Sequence, residues 1–255
     1  MDDGYGVGPP SILFDVVQQF IREVEEHCGL VCQRTKCEVF SWDGVRPRDA
    51  PADFAMAGIM VEEEFVPGFI VYGVPVGIGT DQYVTTMLEK KVEEIEANAM
   101  KVVRLLEMEK QSLWRVLRSS IQHQFGYWLM LVNPTLIREA AMKVDRIMIR
   151  VLESMLGYRI PVCQEQAWAY EVDVPVDSLS GKAFHNWVVQ QPVKFGGLGL
   201  RSQAGLSPVA YLACLEQTIP FFTGEKGICP ALSHLVGRGG GLGAKEVGAP
   251  PDLWV

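Results

Sequence analysis

Apolar residues set the first element. Ile12, Leu13, Val16, Val17, Phe20 and Val24 recur at the three- and four-residue spacing of a helix. Pro9 and Pro10 stand before it, Ser11 is available as its cap, and Gly29 suits the left-handed residue that closes it. Residues 1–10 read as a turn running into a short strand. Beyond the helix, Leu30 to Cys32 and Lys36 to Phe40 read as extended pieces. Residues 43–56, with Pro47 and Pro51, read as loop. Phe69-Ile70-Val71-Tyr72 is a β-rich run ended by Gly73 and Pro75.

From Asp81 the period changes. Val84, Leu88, Val92, Ile95, Ala99, Val102 and Leu106 make one helical stripe, with Glu93, Glu94 and Lys101 off it. A second helix is expected over Ser112–Leu131, broken by Asn133-Pro134. A third follows from Pro134 through Val144 and Ile147 to Leu156, stopped by Gly157. Residues 158–180 are mixed, and short helices are expected around Phe184–Val189 and Pro208–Gln217. The tail from Gly237 is rich in Gly and Pro and reads as flexible. The expected class is therefore α+β, mainly helical.

Composition narrows the setting. No apolar run reaches the roughly 18 residues of a membrane-spanning helix, and no secretory signal precedes the first helix. Six cysteines without a paired framework fit a reducing, intracellular location, nuclear or cytoplasmic. Acids outnumber bases by 31 to 23, a net charge of −8. A field of that sign repels phosphate, so any nucleic-acid contact has to come from a local basic patch.

Adjacent Asp2 and Asp3 repel each other, and such a pair makes sense where cations bind, although taken by itself an N-terminal pair reads as a solvated terminus. Mg²⁺ takes hard oxygen ligands, and phosphoryl transfer often uses two such ions. Met1-Asp2-Asp3-Gly4-Tyr5-Gly6-Val7-Gly8-Pro9 resembles the aromatic-x-Asp-Asp motif of retroelement reverse transcriptases without its leading aromatic. Gly29-Leu30 followed by Lys36 and the Cys37–Phe40 strand is similar to the family's next palm motif. Tyr72-Gly73-Val74-Pro75-Val76-Gly77 resembles its primer-grip hairpin. Trp187, Pro192 and Gly196-Gly197-Leu198-Gly199-Leu200 resemble a stretch that follows the thumb. The order and spacing of these pieces, over residues 1–220, carry the resemblance.

The resemblance implies Mg²⁺ ligation and catalysis by Asp2 and Asp3, and a phosphate-contacting or proton-donating role for Lys36. It implies primer positioning by Tyr72, Gly73, Val74, Pro75 and Gly77. It divides the chain into a partial palm with its hairpin (1–79), a helical thumb-like region (80–157), a mixed extension (158–235) and a tail (236–255). Arg115 and Arg118 share one helical face, as do Arg146 and Arg150; with Arg104 and Arg138 they are candidates for a duplex-facing surface. The partner implied is a primer–template duplex. The family's first palm strand with its metal-binding Asp, the following helix, the second strand and the fingers have no counterpart in these 255 residues. The expectation is a chain that does not polymerise unaided and needs the other half of the polymerase. The rival expectation is a non-enzymatic remnant whose helices at 81–157 bind a protein or self-associate.

Four other signals have plainer readings. His27, Cys28, Cys32 and Cys37 crowd together but lack paired zinc spacing, and read as packed thiols. Gly196–Gly199 and the Gly239–Glu246 run lack the phosphate-loop pattern and read as turn and tail. His185, near Trp187, has no obvious nucleophile partner and reads as packing or surface. Glu62-Glu63-Glu64 reads as a solvated acidic turn.

Overall fold

The computed structural model describes residues 4–41, 43–77, 81–104, 109–159, 188–195 and 197–223. The fold is mixed α+β with helix predominating, as expected. It divides into two units, Met1–Met87 and Leu88–Val255, with the division inside one long helix.

In the first unit α1 runs Pro10–Cys28. Pro10 occupies the first turn, where its missing N–H costs nothing, and the Pro9 carbonyl accepts from the Ile12 and Leu13 amides. Ser11 therefore does not cap; no side chain does. Gly29 closes the helix at φ 66°, as its position implied. The expected apolar stripe splits in two. Phe14 and Ile21 are buried with Val39 and Phe54, while Ile12, Val16 and Phe20 are 61%, 56% and 65% exposed.

The expected strand around residues 4–9 is not formed, and Leu30–Cys32 joins no sheet. Only Glu38–Val39 (β1) of the Lys36–Phe40 piece pairs, because Arg34–Lys36 tightens into a 3₁₀ turn first. The supposed loop 43–56 ends in a strand, Ala55–Met56 (β2), lying parallel to β1. Then Gly58–Val61 (β3), Glu64–Val71 (β4) and Val74–Gly77 (β5) form an antiparallel meander. Of the Phe69–Tyr72 run, Phe69–Val71 is thus only the end of an eight-residue strand, and Tyr72 belongs to the turn that follows. Ala57 links the sheets: its N–H donates to the Val39 carbonyl and its carbonyl accepts from the Gly68 amide.

Two tight turns fix the meander's register. Glu62 and Glu63 join β3 to β4 at φ 47° and 71°, and Tyr72 and Gly73 join β4 to β5 at 49° and 79°. Positive φ at both central residues defines the type I′ turn, whose twist matches the strands. Behind β4, Gly68 admits the Tyr83 ring so closely that an added Cβ would lie 2.2 Å from its Cγ.

The long helix α2 spans Gln82–Arg104 and buries Val84, Leu88, Val92, Ile95, Ala99 and Val102, the stripe read from the sequence; Leu106 lies outside the described residues. The single helix expected over Ser112–Leu131 is broken. It is α3 (Lys110–Ser119), a 3₁₀ turn (Ile121–His123) and α4 (Gly126–Leu131). The bend lets Phe125 and Leu117 bury completely, a gain that a straight helix would forgo. Helix α5 runs Pro134–Leu156 as expected, with Asn133 accepting from the Thr135 amide at 2.9 Å and Gly157 closing it at φ 67°. Glu89–Lys143 and Glu96–Arg150 pair α2 with α5 in steps of seven residues on each, so the two helices run parallel. The last helix among the described residues, α6 (Gln203–Thr223), packs on α4 and α5. It extends well beyond the expected Pro208–Gln217.

Candidate functional site

The first unit brings together two of the pieces that carry the resemblance. Tyr5, two residues beyond Asp3, sits against the tip of the β4–β5 hairpin. Its hydroxyl accepts from the Tyr72 amide at 3.2 Å, and the two rings lie 5.3 Å apart. Tyr72 is 71% exposed, while Val74 and Pro75 are buried beneath the tip. The hairpin thus carries an aromatic outward on a buried base. Gly77 ends β5. Asp2 and Asp3 themselves lie outside the described residues.

Lys36 is exposed at the end of the 3₁₀ turn, not on a strand. The turn is anchored by Arg34, which donates to Gln18 on α1 at 2.8 Å and reaches Asp53 at 3.5 Å. Next to it Cys32 and Cys37 place their Sγ atoms 3.9 Å apart. His27 turns away to Glu23, and Cys28 is exposed. Among the described residues no cluster of three His, Cys, Asp or Glu could hold a metal ion. The packed-thiol reading of Cys32 and Cys37 agrees with their contact with the Phe14–Phe54 core.

The second unit carries the arginines. Arg115 and Arg118 lie exposed on α3, opposite buried Leu113 and Leu117. On α5, Arg138, Arg146 and Arg150 are exposed, four or eight residues apart. Arg150 is committed to Glu96 and Lys143 to Glu89. Arg138 and Arg146 have no ion-pair partner among the described residues. They line a shallow cleft of about 390 Å³ with Thr135, Glu139, Met142 and Lys143. Eight residues of helix separate their guanidinium stems by about 12 Å along the axis. Sequence reading named Arg150 with Arg146, but it is Arg138 that shares Arg146's cleft.

The glycine-rich stretch has a packing explanation. The amides of Leu198, Gly199 and Leu200 donate to the carbonyls of Val188, Gln191 and Val189. A Cβ on Gly197 would lie 2.2 Å from the Gln191 carbonyl oxygen, and Gly199 has φ 70°. Gly196, Trp187 and His185 lie outside the described residues, as does the Gly239–Glu246 run. The stretch ends on a buried carboxylate that sequence reading missed. Asp145 of α5, 1% exposed, accepts from the Ser202 hydroxyl at 2.8 Å and from the Gln203 and Ala204 amides at 2.7 and 3.2 Å. Ser202 Oγ in turn accepts from the Gly205 amide at 2.9 Å. The orphan amides of α6's first turn are thus met by α5 and by the helix's own cap. Burial pushes Asp145 up to about 6, and the hydrogen bonds from Gln203, Ala204 and Ser202 offset only part of that. The available signal was an acid within α5's apolar face, between Ala141 and Ile149.

No protein-family model, curated protein or solved structure matches the chain. Among the described residues no helix is long and apolar enough to cross a membrane.

Proposed function

We propose that the chain is the palm–thumb portion of a retroelement reverse transcriptase, an RNA-directed DNA polymerase, and that it binds a primer–template duplex. The observation that carries the reading is the Tyr5–Tyr72 contact, which sets the residues just after the Asp2-Asp3 pair beside the hairpin turn. A polymerase needs that proximity, because the primer terminus must be held next to the metal-binding carboxylates. Further support comes from Arg138 and Arg146, which have no ion-pair partner among the described residues and lie on a helix after the hairpin, a local basic feature on an acidic chain. In this reading Asp2 and Asp3 ligate Mg²⁺, Lys36 contacts phosphate, and Tyr72-Gly73-Val74-Pro75 holds the primer.

The test is binding of the purified chain to a primer–template duplex across a salt series, with Mg²⁺ and nucleotides present to score extension. Binding that weakens as salt rises is the expected result, because phosphate contacts release counterions. Extension is not expected from this chain unaided, since the resemblance supplies only two of three metal-binding carboxylates. No binding even at low salt overturns the reading.

A second reading, a protein-interaction role, is favoured by Ile12, Val16 and Phe20, an exposed apolar row on α1. The helices at 81–157, where such a surface is expected from the sequence, bury their main apolar stripe and leave Val116, Tyr127, Met130, Leu131 and Leu156 exposed.

A further inference from the structure

We infer that Cys32 and Cys37 form a reversible disulfide that locks the turn carrying Arg34 and Lys36. Their Sγ atoms lie 3.9 Å apart. A disulfide bond measures about 2 Å, so rotation about side-chain bonds has little distance to close. The backbone between them is already drawn into a ring. The Arg34 amide donates to the Cys32 carbonyl at 3.0 Å, Lys36 to Gln33 at 2.9 Å, and Cys37 to Arg34 at 3.0 Å. Both thiols rest half-buried on the Phe14, Ile21, Val39 and Phe54 core, which holds them facing each other. No third ligand joins them into a metal site among the described residues. Two thiols held at contact distance, with no third ligand beside them among the described residues, are placed for thiol–disulfide exchange.

The oxidant is a low-molecular-weight disulfide of the glutathione class. The Cys32 thiolate attacks one sulfur of glutathione disulfide; that S–S bond breaks and one glutathione thiolate leaves. Cys37 then releases its proton to solvent, attacks Cys32 Sγ and displaces the second glutathione. Two protein thiols are oxidised to one disulfide, and one glutathione disulfide is reduced to two thiols. Burial and the adjoining Cys32 raise the pKa of Cys37, which disfavours it as the first attacking thiolate. Closure pins the turn whose Arg34 is bonded to Gln18 on α1, and with it the exposed Lys36.

The experiment equilibrates the full chain in glutathione buffers of rising oxidised fraction, blocks free thiols with iodoacetamide, and maps peptides by mass spectrometry. A Cys32–Cys37 linkage, reversed by dithiothreitol, is the expected product. Cys28→Ser leaves it unchanged, and Cys32→Ser abolishes it and leaves Cys37 free. The inference is overturned if Cys28 alone is glutathionylated while Cys32 and Cys37 are both alkylated. It is equally overturned if the adduct on Cys32 persists without ring closure, or if either cysteine pairs elsewhere.

Discussion

Asp145 sets two effects against each other in a way that a pH titration can separate. Its carboxyl is removed from water, which disfavours charge, yet three donors at a helix N-terminus favour charge. Burial wins, and the group titrates at about 6 in the folded chain against an ordinary value of 3.8. About two units of difference correspond to on the order of 3 kcal/mol. The sign follows from proton binding. The folded state holds this proton more tightly than the unfolded state, so its contribution is complete below the unfolded value. It is lost as pH rises towards the folded value, and is flat beyond it. Asp145→Asn removes the titration while keeping the shape. Urea unfolding followed by far-UV circular dichroism, at steps between pH 4 and 7, gives the stability of both proteins. Other carboxylates titrate in both, so the quantity to read is the difference between the two curves. The wild type should fall relative to Asp145→Asn by on the order of 3 kcal/mol across that window. A flat difference would show that the hydrogen bonds cancel the effect of burial, and a wild type that gains as pH rises would show that they outweigh it; either result overturns the raised value.

Other consequences are as direct. Glu63→Gly relieves a left-handed residue at φ 71° and should raise stability by about 0.5–1 kcal/mol, read from the urea midpoint; a loss would mean that the Glu side chain does more than tolerate the turn. Gly68→Ala drives a methyl into the Tyr83 ring and should cost about 1–3 kcal/mol, whereas Gly73→Ala meets open space and suffers only from its φ of 79°. Replacing Arg138 and Arg146 together by Ala should weaken duplex binding and reduce the salt slope by about 2, while Arg150→Ala, whose charge is already paired to Glu96, should change the slope little.

The long helices were legible because their signals are local. Pro134, the Val144–Ile147 spacing and Gly157 define α5, and a continuous stripe defines α2. The break between α3 and α4 was not legible, since Ile121, Gln122 and Phe125 sit at spacings that a straight helix also accepts. Tertiary burial of Phe125 decides it. The α1 stripe misled for the opposite reason: a helical period says which residues share a face but not how wide a face finds a partner. β1 and β2 are two residues each and join by parallel pairing across a loop, with no hairpin signature to announce them. At the candidate site, the hairpin was legible from Tyr72-Gly73 and Pro75, whereas the Tyr5–Tyr72 contact spans 67 positions and leaves no local trace. The Asp145 knot likewise joins residues 57 to 59 apart, and only the acid within an apolar face hinted at it.

In the proposed function the β4–β5 hairpin holds a primer terminus. A duplex whose primer carries a photoreactive group at its 3′ end, irradiated in complex with the chain and mapped by mass spectrometry, tests it most directly. Crosslinks are expected on the peptide containing Tyr72–Val74, with fewer after Tyr72→Ala. Crosslinks spread over both units without preference, or no photoproduct at a concentration where binding is saturated, would contradict it.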